Sequence, residues 1–166
     1  MIYGAIAILI FIVEFVIKFF VEKLAQENKR IPIFDGKMYL TKYHNEGAFL
    51  NFGQGKRVAI KYISLVLTAG CLLVFAFTLG RHGKHLLKLG LSFLLGGAFS
   101  NTYDRMVRKY VVDYVGFNVK NRKFSNTIFN ISDFFIMIGT ALAVIQMPPK
   151  GQKKAKKNKK KKKAEK

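Results

Sequence analysis

IYGAIAILIFIVEFVIKFFV, residues 2–21, is an apolar stretch interrupted only by Glu14 and Lys18. At a rise of about 1.5 Å per residue, twenty helical residues reach roughly 30 Å, the depth of a bilayer core. The stretch therefore predicts a first transmembrane helix. A cleaved secretory leader is the competing reading, but no basic segment precedes the run and no small-x-small site follows it, so the segment is expected to stay. Glu14 and Lys18 are four apart and share one helix face. Charges at that depth are expected to face protein rather than lipid, with snorkelling as the simpler fate of Lys18.

Three further stretches repeat the pattern downstream. Val58 to Leu79 is a second apolar run of spanning length, closed by the basic turn Arg81, His82, Gly83, Lys84, His85. Leu86 to Arg105 gives a third, with Gly90, Gly96, Gly97, Ala98 and Ser100 as small residues that let neighbouring backbones approach closely. Phe129 to Met147 gives a fourth, ended by Pro148 and Pro149. The fold class expected is an all-α membrane protein of four transmembrane helices, residues 1–147, followed by a disordered polylysine tail over 148–166. Four spans place both ends on one side of the membrane. The densest Lys/Arg clusters, the turn after helix 2 and the tail, mark that side as cytoplasmic. The connections 22–57 and 106–128 then lie outside. Within them Ile31–Ile33, Met38–Leu40 and Tyr110–Val115 have the β-branched and aromatic character of strands.

Composition agrees once the charge is located. The 166 residues are 51% apolar yet carry a net charge of +20, and Met147 to Lys166 holds eleven Lys against one Glu, half of that surplus. On a cytoplasmic membrane terminus such a tail finds the anionic leaflet, at about 1 kcal/mol per Lys, rather than nucleic acid. A single cysteine, Cys71, excludes an intramolecular disulfide and a multi-cysteine zinc site, and it reads as a small apolar filler. His82 and His85 lie among cations and a glycine, a poor setting for a metal. His44, beside Asn45, reads as lining a cradle formed by the outer segment rather than as a metal ligand.

Acids are scarce, nine in all, and four fall in or beside the spans: Glu14, Asp104, Asp113 and Asp133. A carboxylate near the bilayer centre costs about 2.5–3.5 kcal/mol, so several of them imply a use. The topology puts Asp104, Asp113 and Asp133 at similar depth near the outer face. Two carboxylates in one site share a proton, the arrangement for general acid and base activation of water. The bland alternative pairs Asp104 with Arg105 or a nearby Lys and leaves Asp113 and Asp133 as helix caps. Asn101 and Asn130, each three residues before an Asp, predict an amide one helical turn from Asp104 and from Asp133. Spacing alone leaves open which two acids pair.

The segments Asn45-Glu46-Gly47-Ala48, Gly96-Gly97-Ala98-Phe99-Ser100-Asn101-Thr102-Tyr103-Asp104-Arg105, Val111-Val112-Asp113-Tyr114 and Phe129-Asn130-Ile131-Ser132-Asp133, with Glu14 and Lys18 in helix 1, resemble the ordered motifs of the bacterial lipoprotein signal peptidases (signal peptidase II). The resemblance runs from residue 1 to about 147. It implies an intramembrane aspartic endopeptidase of the bacterial plasma membrane that cuts prolipoproteins just before a diacylglyceryl-modified cysteine, with no metal or other cofactor. It further implies Asp113 and Asp133 as the catalytic dyad, and Asn45, Gly47, Asn101, Asp104, Arg105 and Asn130 as supporting or substrate-contacting residues. A small extracytoplasmic sheet from the first outer loop would cradle the substrate, and the family inhibitor globomycin would share its pocket. The family usually has Gly at Ser100, Ala at Phe49 and Ser132, and Asp at Glu14. Ser100, Ser132 and Phe49 motivate the alternative of an inactive paralogue that binds lipoprotein or lipid, while Glu14 and Lys18 motivate a small transporter subunit.

Overall fold

The structure, a computed structural model, describes residues 1–47, 56–121 and 125–146. The expectations placed on Phe49, on Pro148 and Pro149 and on the lysine-rich tail fall outside the described residues. Helix α1 (Ile2–Leu24) leads into strands β1 (Ile31–Ile33) and β2 (Met38–Asn45). Helices α2 (Arg57–Leu79) and α3 (His85–Val107) follow, then strands β3 (Val111–Phe117) and β4 (Ile128–Phe129) and helix α4 (Ile131–Ile145). The strands form one antiparallel sheet in the order β1-β2-β3-β4.

Helices α1 and α2 are long and apolar enough to cross a bilayer. Their apolar side chains face outward: Ile8, Leu9, Val66, Leu67 and Phe77 are all exposed, while Glu14 and Lys18 are each 1% exposed. This inverts the pattern of a protein folded in water, where large apolar groups go inside. Lys18 does not snorkel. Its ammonium turns inward, because Ser100, Asn101 and Asp104 on α3 supply the oxygens a buried cation needs.

Helix α3 is the central element, packed against α1, α2 and α4. Its small residues make this possible. A Cβ on Gly97 would lie 2.5 Å from the carbonyl oxygen of Ser132, and one on Gly139 would lie 2.5 Å from that of Gly90. Between these two contacts, Leu91 and Leu95 form with Phe75 of α2 an apolar core that Cys71 packs against.

The fourth helix starts later than its apolar run. Phe129 is the last residue of β4 and pairs with Val115. Asn130 is the N-cap: its side chain accepts from the Asp133 N–H, and the Asp133 side chain accepts from the Asn130 N–H. Such a reciprocal box satisfies two of the helix's unpaired donors and outweighs the apolar continuity that Phe129 offers.

Candidate functional site

Strand β3 lies between β2 and β4, which fixes Asp113 beside Asn45 on one side and just before the start of α4 on the other. Asp113 Oδ2 accepts a hydrogen bond of 2.8 Å from Asn45 Nδ2, and Oδ1 accepts one of 2.6 Å from Asn130 Nδ2. Asn130 serves both acids. Its backbone N–H donates to Asp133 Oδ2 at 3.1 Å, while Asn101 Nδ2 donates to Asp133 Oδ1 at 2.9 Å.

Asp113 is buried. Burial, reinforced by the neighbouring charge of Asp133, raises its pKa to about 8, against the opposing pull of the two asparagine amides and Lys18. A carboxyl held toward its protonated form beside a second carboxyl has the make-up that general acid and base chemistry requires.

Asp104 is used differently. Its Oδ2 pairs with Lys18 Nζ at 3.0 Å and accepts the Val112 N–H at 3.2 Å, while its Oδ1 pairs with Arg108 at 3.0 Å. The bland reading of Asp104 is therefore correct in kind, although the cations are Lys18 and Arg108 and not Arg105. Asn101 does stand one helical turn before Asp104 on α3, but it does not turn its amide toward that acid. The Asn101 amide donates across to Asp133, and its oxygen takes the Lys18 ammonium at 2.8 Å. One helical turn within α3 sets only where Asn101 starts; the neighbouring helices decide what it meets.

Arg105 Nη2 donates to the Gly47 carbonyl at 3.0 Å and Nη1 to the Asn101 carbonyl at 3.2 Å, and Gly47 N–H donates to Asn45 Oδ1 at 2.9 Å. Arg105 Nε, buried, has no partner. These bonds tie β2, α3 and the residues flanking both acids into one network.

Two partners were not legible in the sequence. Tyr114 donates to Glu14 Oε2 at 2.7 Å and accepts the Ile131 N–H, and Glu14 Oε1 accepts the Ser132 N–H at 3.0 Å. The carboxylate of α1 thus holds the first turn of α4, a helix end that favours negative charge. The one available signal was an acid kept inside an apolar span. Ser132 Oγ, next to Asp133, is buried without a hydrogen-bond partner.

Asp133, Asn101 and Arg105 open onto a cavity of about 980 Å³ between α2, α3 and α4. Its walls are apolar, with Leu67, Cys71, Leu94, Ile136, Met137 and Ile145, so it suits an apolar ligand with one polar end. Among the described residues no three His, Cys, Asp or Glu side chains gather to hold a metal. His44 joins no site of this kind: it bonds Glu22 and stacks on Tyr110.

The sequence profile of the family described as Signal peptidase (SPase) II matches residues 6–148. The lipoprotein signal peptidase of Bacillus pumilus (strain SAFR-032) is 34% identical over 155 residues, 92% of this chain and 96% of that protein. The lipoprotein signal peptidase of Bacillus subtilis (strain 168) is 33% identical over 156 residues, 94% and 99% of the two chains. Two solved structures described as bacterial membrane enzymes share the fold, with TM-scores of 0.73 and 0.70 at 23% identity. Each alignment covers 86% of this chain, with 85% and 90% of the respective relatives.

Proposed function

The chain belongs to the signal peptidase II family, and on that premise we propose that it is an intramembrane aspartic endopeptidase that removes signal peptides from diacylglyceryl-modified prolipoproteins, cutting just before the lipidated cysteine. The observation that carries this reading is the pair Asp113 and Asp133, linked through Asn130, with Asp133 lining the polar end of an apolar cavity.

All four helices span the bacterial plasma membrane, both termini are cytoplasmic, and the sheet with the dyad stands at the outer face. The substrate's signal helix and acyl chains already lie in lipid, and the cavity between α2, α3 and α4 receives them. Its polar mouth brings the scissile peptide to Asp133 where water is available.

Burial holds Asp113 toward its protonated form, so in this reading the pair shares one proton, assigned to Asp113. Asp113 donates that proton in a hydrogen bond to the scissile carbonyl while Asp133 takes a proton from water. The resulting hydroxide adds to the carbonyl carbon. Breakdown of the tetrahedral intermediate returns the proton from Asp133 to the departing amine, which becomes the new N-terminus at the cysteine. The unspent Arg105 Nε–H supports a role in holding the substrate backbone or the developing oxyanion. Asn45, Gly47, Asn101 and Asn130 orient the acids, and Asp104 anchors Lys18 and the start of β3. Globomycin, as the family's inhibitor, would occupy the same cavity.

Incubating the purified chain with a diacylglyceryl-modified prolipoprotein peptide in detergent tests this. Mass spectrometry should find a product beginning at the lipidated cysteine. Binding without cleavage by well-folded protein would replace the reading with that of an inactive paralogue.

A further inference from the structure

A second cavity, of about 330 Å³, lies at the outer end of α1, with Asp133, Asn101 and Arg105 all outside its lining. We propose that it is a binding site for one anionic phospholipid of the surrounding bilayer, which enters by its glycerol-ester region. This assignment does not depend on the dyad being catalytic.

Depth is the first argument. Phe20, Val21 and Leu24 in its wall belong to the last turns of α1, and the end of a spanning helix sits where acyl chains give way to headgroups. Ile31 and Leu40, paired across β1 and β2, continue the apolar wall above the helix. Phe20, Leu24, Ile31 and Leu40 are all exposed, so the wall runs out into the lipid-facing surface.

Chemistry is the second. Lys29 is the one charged residue in the lining, and Gln26 lies beside it. Glu22 and Glu27, the nearby acids in sequence, lie outside the lining and contact His44 at 3.0 Å and 3.6 Å. Inside, the hydroxyl of Thr41 is buried without a partner, an unspent group of a kind that structures seldom leave unpaired. A cation at the rim, a free hydroxyl within and apolar walls opening to lipid match a phosphodiester, an ester carbonyl and an acyl chain in that order. A cavity of this size is at the small end of ligand sites and holds the head of one chain, not a whole lipid.

The site touches the dyad's support. Tyr114 forms part of its wall, and the same residue holds Glu14 and the first turn of α4 while Asp113 precedes it in β3. A lipid seated there fills the space behind the tyrosine ring.

The test is native mass spectrometry of the detergent-extracted chain, exchanged against phosphatidylglycerol or phosphatidylcholine. One phosphatidylglycerol should be retained, about fivefold or more over phosphatidylcholine, the factor that one lysine near a charged headgroup supplies. Lys29→Glu should abolish the preference, and Ala25→Trp, which fills the cavity, should abolish retention of either lipid. Both variants must keep the natural chain's thermal midpoint in detergent. Thr41→Val is the second check if Ala25→Trp misfolds, and it should weaken retention of both lipids alike. Equal retention of the two lipids by the natural chain, or unchanged retention in the variants, overturns the proposal. So does stoichiometric displacement of the lipid by a diacylglyceryl peptide, which would give the cavity to the substrate.

Discussion

At Asp113 two amide donors meet a carboxyl that burial drives toward its neutral form. Its folded pKa lies above the unfolded value, so the folded chain binds more protons than the unfolded one between about pH 4 and pH 8. The sign is therefore fixed: this group's contribution to stability is full below pH 4 and declines as pH rises toward 8. Thermal midpoints measured at pH 5 and pH 8 should fall more for the natural chain than for Asp113→Asn. Cleavage should decline above about pH 8 as the shared proton is lost, seen as the alkaline limb of a kcat profile. The ion pair at Lys18 makes a different demand. Lys18→Ala leaves Asp104 buried against α1 with only Arg108 for a cation, and removal of one partner of a buried pair costs about 3–5 kcal/mol. Denaturation of Lys18→Ala and of Lys18→Ala/Asp104→Asn should show that loss in the single variant and a partial return in the double.

Helices α3 and α4 meet closely because glycines face carbonyl oxygens at the contact. Gly97→Ala pushes a methyl group to 2.5 Å from the Ser132 carbonyl, one residue from Asp133, whereas a methyl group on Gly70 meets nothing within 4 Å. Overpacking of this kind costs about 1–3 kcal/mol. Gly97→Ala should lower the thermal midpoint and reduce kcat, whereas Gly70→Ala should leave kcat unchanged and hold or slightly raise the midpoint, alanine being the better helix former. These elements differ in how far the sequence determined them. The apolar runs of α1 and α2, the β-branched run Tyr110 to Val115 and the small residues of α3 all announce themselves through period, length or size. The start of α4 does not, since Phe129 is as apolar as the helix it precedes and only the reciprocal bonds of Asn130 and Asp133 mark the boundary. The partners of Asn101, Asp104 and Glu14 were equally hidden. Each lies across a helix or strand interface, where spacing along one element carries no information. What could be read was that acids this costly had been kept; which of them pair is a property of the packing of α1, α3 and β3.

Across the whole molecule the exposed surface of α1 and α2 is largely apolar while Glu14, Lys18, Asp104 and Asp113 are buried, an arrangement suited to lipid. The proposed orientation puts the β1–β2 turn outside and the turn between α2 and α3 inside. In a Cys71→Ser background, Asp35→Cys should react with a membrane-impermeant maleimide on intact cells, and His82→Cys should react only after the membrane is opened. Removal of residues 150–166 should weaken association with anionic vesicles and leave cleavage of the lipopeptide unchanged. The central claim is that Asp113 and Asp133 do the chemistry while Asp104 holds the frame. The direct measurement is the cleavage rate of one diacylglyceryl-modified prolipoprotein peptide by the natural chain, Asp104→Asn, Asp113→Asn and Asp133→Asn at neutral pH, each shown to be folded. Loss of a proton-transfer group costs about 10²- to 10⁴-fold, so Asp113→Asn and Asp133→Asn should each fall by about a thousandfold with KM little changed, and Asp104→Asn by far less. Retained cleavage in either Asp113→Asn or Asp133→Asn, or a loss in Asp104→Asn as deep as theirs, would contradict the account.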